Sequence, residues 1–157
     1  LATGKVLKKS DPPASLLKSL QTGSASSVVM DGYLVSLAGE TISAFSLCKG
    51  GTEAGTYQLG KLKGVKGKGA FRLMPWQRTA GVFAATNGET TAIFGLGPKG
   101  LKHLRTFEGV AVVGPVFSVH DDETAQPVAV AVVKEEGTQI QLMDPASGNV
   151  QPAISAA

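Results

Sequence analysis

Short stretches of the chain alternate between apolar and polar positions, and the alternation has a period of two. TISAFSL (41–47) and TQIQL (138–142) are the clearest cases. A period of two puts one set of side chains on a buried face and the other in water, as in a half-buried β-strand. Read this way, the chain falls into three sets of four strands. The first set is 15–22, 32–38, 41–47 and 55–62. The second is 70–77, 81–86, 90–96 and 101–109. The third is 112–120, 127–133, 138–144 and 149–155. VAVAVV (128–133) is apolar throughout, which predicts a strand buried on both faces.

The middle of each set repeats. AGETISAFSL (38–47) recurs as NGETTAIFGL (87–96), and the glycines Gly39 and Gly88 are 88 − 39 = 49 residues apart. A further step of 49 reaches Gly137 in EEGTQIQLMD. Asn87-Gly88 between two apolar runs signals a hairpin, because both residues tolerate positive φ, and Gly39 and Gly137 are expected to occupy the same place. The copied decapeptide is then the central hairpin of a four-stranded unit. The units run approximately over 11–62, 63–109 and 110–157.

A repeat of this length made of four strands fits a β-propeller blade, and three such repeats also fit a closed β-trefoil. The opening LATGKVLKKS (1–10) reads as the outer strand of a preceding blade, for which a trefoil has no use. The expectation is an all-β propeller segment of about three blades, an internal piece of a longer chain, with the trefoil as alternative.

LATGKV (1–6) and MDPASGNV (143–150) resemble the turn that closes a blade in quinoprotein-type propellers, although the tryptophan that often follows it is replaced by Leu7 and by Gln151 or Pro152. Across most of the chain the order of segments resembles the luminal propeller of the largest-subunit (subunit 1) family of the ER membrane protein complex. TGKV (3–6), ETISAFSL (40–47), AFRLMP (70–75), TTAIFGLGPKGLKHL (90–104) and EEGTQIQLMD (135–144) carry this likeness. The resemblance implies a non-enzymatic scaffold on the luminal side of the ER membrane. Its partners would be the other subunits of that complex and the remaining blades of the parent chain. It implies no cofactor and no nucleic acid, and membrane association through the parent complex.

Composition refines this picture. Of 157 residues, 43% are hydrophobic and 17% charged, enough apolar material for a core. The net charge of +3 hides an asymmetry. Through Arg105, fourteen Lys or Arg face five acids; beyond it, Lys134 alone faces seven. Cys48 is the single cysteine, which excludes an internal disulfide and a multi-cysteine zinc site; it reads as a buried or inert thiol. No apolar run is long enough for a membrane-spanning helix.

Two stretches carry candidate chemistry. In GKLKGVKGKGAFR (60–72), Lys61, Lys63, Lys66, Lys68 and Arg72 cluster among glycines whose N–H groups suit an anion, and no acid occurs from 54 to 88. The Walker spacing is absent, so a solvated, flexible connection between two blades is the competing reading. Trp76 is a candidate partner contact or a packing residue. In SVHDDET (118–124), His120, Asp121, Asp122 and Glu123 offer ligands for a hard cation, or simply a polar hairpin turn. A quinoprotein-type enzyme would need such a cluster beside a cofactor pocket. A trefoil lectin would bind a sugar or protein ligand, but the common Gln-x-Trp pattern of that class is missing.

Overall fold

The computed structural model describes residues 25–79, 81–115 and 128–156. They form twelve strands in three four-stranded antiparallel sheets. Sheet 1 contains β1 (Ala25–Met30), β2 (Tyr33–Ala38), β3 (Thr41–Ser46) and β4 (Thr52–Gln58). Sheet 2 contains β5 (Arg72–Thr79), β6 (Val82–Thr86), β7 (Thr90–Gly97) and β8 (Gly100–Glu108). Sheet 3 contains β9 (Val110–Pro115), β10 (Val128–Lys134), β11 (Gly137–Met143) and β12 (Val150–Ala156). Each sheet is a meander in sequence order. Each set of four strands pairs within itself, so among the described residues the sheets stay open and separate. Among the described residues the barrel required by the trefoil alternative does not form.

The sheets stack face to face with strand order preserved. β1 lies against β5 and β5 against β9, while β4 lies against β8. Two apolar layers result. Val35, Leu37, Ile42 and Ala44 of sheet 1 meet Leu73, Phe83, Ala85, Ala92 and Phe94 of sheet 2. Met74, Val82, Ala84 and Ile93 on the other face of sheet 2 meet Ala111, Val113, Val128, Val130 and Val132 of sheet 3. Sheet 2 is therefore buried on both sides, and along β6 successive residues serve opposite layers. Alanines beside the phenylalanines let the sheets approach closely, while Phe83 and Phe94, stacked at 5.8 Å, fill the space between sheets 1 and 2. Burying one such side chain contributes roughly 1.5–3 kcal/mol.

The strand pattern departs from expectation at definite places. The first strand of sheet 1 is Ala25–Met30; the expected strand at 15–22 lies outside the described residues, as does the segment 1–10. The missed signal is Asp31-Gly32. Both have positive φ, 50° and 80°, and Met30 pairs with Tyr33, which makes a two-residue type I′ hairpin. β4 ends at Gln58 rather than 62, because Leu59–Lys61 turns into a single 3-10 turn and buries Leu59. The strand VAVAVVK is covered on one face only: Val128, Val130 and Val132 are buried, whereas Val133 is 48% exposed.

The three repeat glycines also differ. Gly39 opens a two-residue turn with φ 59°. Gly88 lies within a longer loop with φ 92°, and Asn87 keeps negative φ. Gly137 is the first residue of β11, paired with Lys134. The spacing recurs while the turn geometry does not.

Candidate functional site

The basic connection 60–72 is tied to its surroundings by hydrogen bonds at several points. After the 3-10 turn, the Leu62 amide donates to the Leu59 carbonyl (3.2 Å) and the Val65 amide to the Leu62 carbonyl (3.2 Å). The chain then crosses the β6–β7 hairpin. There the Lys66 amide donates to Thr90 Oγ1 at 3.0 Å, and the Lys66 carbonyl accepts from Asn87 Nδ2 at 2.8 Å and Thr90 Oγ1 at 2.5 Å. Asn87 Oδ1 in turn accepts from the amides of Glu89 (2.9 Å) and Thr90 (2.8 Å). This Asx-type turn explains why Asn stands here without positive φ: its side chain replaces a backbone turn bond.

Beneath the hairpin lies a buried hydroxyl chain. Thr86, Thr90 and Thr91 have no solvent exposure. Thr86 Oγ1 donates to the Thr90 carbonyl at 2.9 Å, and Thr91 Oγ1 lies 3.1 Å from it. Thr91 Oγ1 donates to the Gly109 carbonyl (2.9 Å) and accepts from the Ala111 amide (3.0 Å). These bonds satisfy polar groups that would otherwise be stranded where sheet 2 passes into sheet 3.

Lys61, Lys63, Lys68 and Arg72 are exposed and make no ion pair or side-chain hydrogen bond among the described residues. Lys66 pairs with Glu108 at 3.1 Å, with both side chains largely in water. Lys66 also borders a groove of about 760 Å³ whose other charged residues are Glu89, Glu108, Lys134, Glu135 and Glu136. The middle of the basic stretch thus faces acids contributed mainly by the C-terminal third, so the charge asymmetry meets itself here. Trp76 lies on β5. The His120–Glu123 cluster lies outside the described residues. Cys48 is free and exposed in the β3–β4 turn, which removes the buried half of the buried-or-inert expectation.

A feature absent from the expected sites joins the sheets: the turns before the outer strands of sheets 2 and 3. In Asp144–Asn149, Asp144 Oδ1 accepts from the Ala146 amide (2.9 Å) and Oδ2 from Ser147 Oγ (2.9 Å). These bonds hold its carboxyl below the ordinary range. The turn lands on β8, where Lys102 Nζ donates to the Ala146 carbonyl at 3.0 Å and Gly148 leaves no space for a Cβ against the Leu104 carbonyl. The β7–β8 turn does the same one sheet earlier, with Gly100 against the Ala54 carbonyl of β4. Tyr33 Oη adds a bond to the Gly97 carbonyl at 2.6 Å. On β8, beside Tyr57 of β4, sits His103. Its ring packs on Tyr57 and Phe94, Nε2 is 2.9 Å from Thr106 Oγ1, and burial pushes its pKa down against a smaller opposing backbone contact at Arg105.

Among the described residues, no three His, Cys, Asp or Glu side chains are grouped as a metal ion would require. No described helix is long and apolar enough to cross a membrane. No protein-family model matches the chain, and no curated protein or solved structure shows significant similarity to it.

Proposed function

We propose that the chain is a non-enzymatic scaffold segment of a β-propeller, working on the luminal side of the ER membrane. There it would support insertion of transmembrane proteins through contacts with other subunits of the ER membrane protein complex. The observation that carries the scaffold reading is the repeated seating of one sheet on the next. Gly100 on Ala54 and Gly148 on Leu104 are the same contact made twice, with inner strands beside inner strands. A stack with one repeated step is the local geometry of adjacent propeller blades, and it presents turns and connections on a rigid frame. The ER assignment rests on the resemblance carried by residues 3–6, 40–47, 70–75, 90–104 and 135–144.

Docking is assigned to the exposed cations Lys61, Lys63, Lys68 and Arg72, held on a connection whose backbone is fixed at Lys66, with Trp76 beside them in sequence. An unpaired exposed cation on an ordered backbone suits an acidic partner surface, and it acts more on orientation and encounter rate than on total affinity.

The test is co-purification. The natural polypeptide is tagged and extracted from ER membranes in mild detergent. The expected result is retention of the other complex subunits, weakened when Lys61, Lys63, Lys68 and Arg72 are changed together to Glu. Recovery without any of those subunits refutes the assignment.

A further inference from the structure

In sheets 1 and 2, the face turned toward the following sheet is sealed. In sheet 1 it carries the cross-strand pairs Val35–Ala44 and Leu37–Ile42, none more than 3% exposed. In sheet 2 it carries Ala84–Ile93 and Thr86–Thr91, all at 0%. The repeat step of 49 takes Ala44 to Ile93 and Ile42 to Thr91, and the same step leads to Leu142 and Ile140 in sheet 3. Their ladder partners are Ala129 and Ala131. All four remain apolar, all four are only partly buried, and Val133 on the same face is 48% exposed. The opposite face of β10 is closed, with Val128, Val130 and Val132 at 1% or less. Sheet 3 therefore has apolar residues at the positions that carry a neighbour in both preceding sheets.

We propose that this outer face of sheet 3, centred on Ala129, Ala131, Val133, Ile140 and Leu142, is the seat of a fourth four-stranded antiparallel sheet of the same repeat, contributed by the same natural polypeptide. The proposal deepens the scaffold reading and rests on it. Continuity with the two internal interfaces specifies the occupant. It places its inner strand beside β9, as β9 lies beside β5, and lays a glycine turn of positive φ on β12, as Gly100 and Gly148 do on β4 and β8. A second copy of the chain fits less well. Head-to-tail stacking would use the far face of sheet 1, where Val29 is 59% exposed but Ser36 and Phe45 are already buried at 4% and 3%.

Thiol labelling tests this. Cys48→Ser is combined with Ile140→Cys, and separately with Leu142→Cys, and a maleimide dye is the probe. Circular dichroism checks that each variant keeps its fold, and unaltered Cys48 serves as the exposed reference. In the 157-residue chain both new thiols are expected to label readily. In the isolated full natural polypeptide, without partner subunits, they are expected to label at least about tenfold more slowly, as covered positions do. Equal rates in the two chains overturn the proposal. Protection within the 157-residue chain that grows with its concentration also overturns it, in favour of a second copy. Slow labelling together with failed co-purification would sink the ER assignment and leave the sheet contact standing.

Discussion

Gly100 lies so close to Ala54 that a single added carbon at its Cα would overlap the Ala54 carbonyl oxygen. Its φ of 99° is also one that L-residues rarely adopt. Steric exclusion and backbone strain thus act together at the junction of sheets 1 and 2. Gly100→Ala is expected to destabilise the protein by on the order of 2–4 kcal/mol in urea unfolding. Gly97→Ala, three residues away with open space and no positive φ, is the control and is expected to change stability by less than about 1 kcal/mol. Equal effects would remove the seating argument.

Tyr33 reaches the same turn from below. Its hydroxyl donates to the Gly97 carbonyl at 2.6 Å. Tyr33→Phe removes that donor and keeps the ring, so the expected loss is about 0.5–1.5 kcal/mol. If the bond ties the two sheets, the Gly97 region should also exchange amide hydrogens faster in the variant.

His103 predicts a pH dependence. Burial between Tyr57 and Phe94 lowers its pKa in the folded protein below the unfolded value. The unfolded chain therefore takes up the proton first as pH falls. Stability from the neutral imidazole is complete above about pH 6.5 and declines as pH falls through that value toward the lower folded pKa. His103→Gln should flatten this part of the stability–pH curve, measured by thermal unfolding between neutral and mildly acidic pH. An unchanged curve would place the acid sensitivity elsewhere.

Asn87 and Lys66 divide the work of holding the basic connection. Asn87 makes three side-chain bonds to backbone groups, at Glu89, Thr90 and Lys66. The Lys66 ammonium makes one exposed ion pair. Asn87→Ala is expected to cost about 1–2 kcal/mol, and Lys66→Ala less than about 1 kcal/mol. A larger cost at Lys66 would mean that the ion pair, not the hairpin, anchors the connection.

Much of the strand pattern is legible without coordinates, because sheet 2 combines strong signals. Asn87-Gly88 marks its hairpin, and apolar runs flank it. Sheet 1 is harder at its start, where SLLKSL (15–20) looks more regular than ASSVVM although Ala25–Met30 forms the edge strand. Asp31-Gly32 carried the correct information, and a local turn rule outweighs a short apolar count there. The both-faces reading of VAVAVV failed for a different reason. Hydropathy reports what a face can bury, not whether a neighbour covers it. The cations are visible as a cluster in sequence, whereas the pairing of Lys66 with Glu108, 42 residues away, is not. The seats at Gly100 and Gly148 were hidden because a glycine's steric role depends on a strand about 45 residues away in sequence.

The two-sided burial of sheet 2 has a consequence for how the molecule comes apart. Among the described residues pairing is confined within each sheet, and the principal contacts between sheets run from sheet 1 to 2 and from sheet 2 to 3, so loss of structure can begin at sheet 1 or sheet 3 and move inward. Opening sheet 2 strips both apolar layers at once. Its amides, those of Phe83, Ala84 and Ile93 above all, should be the slowest to exchange with solvent, and should set the kinetic lifetime of the whole array.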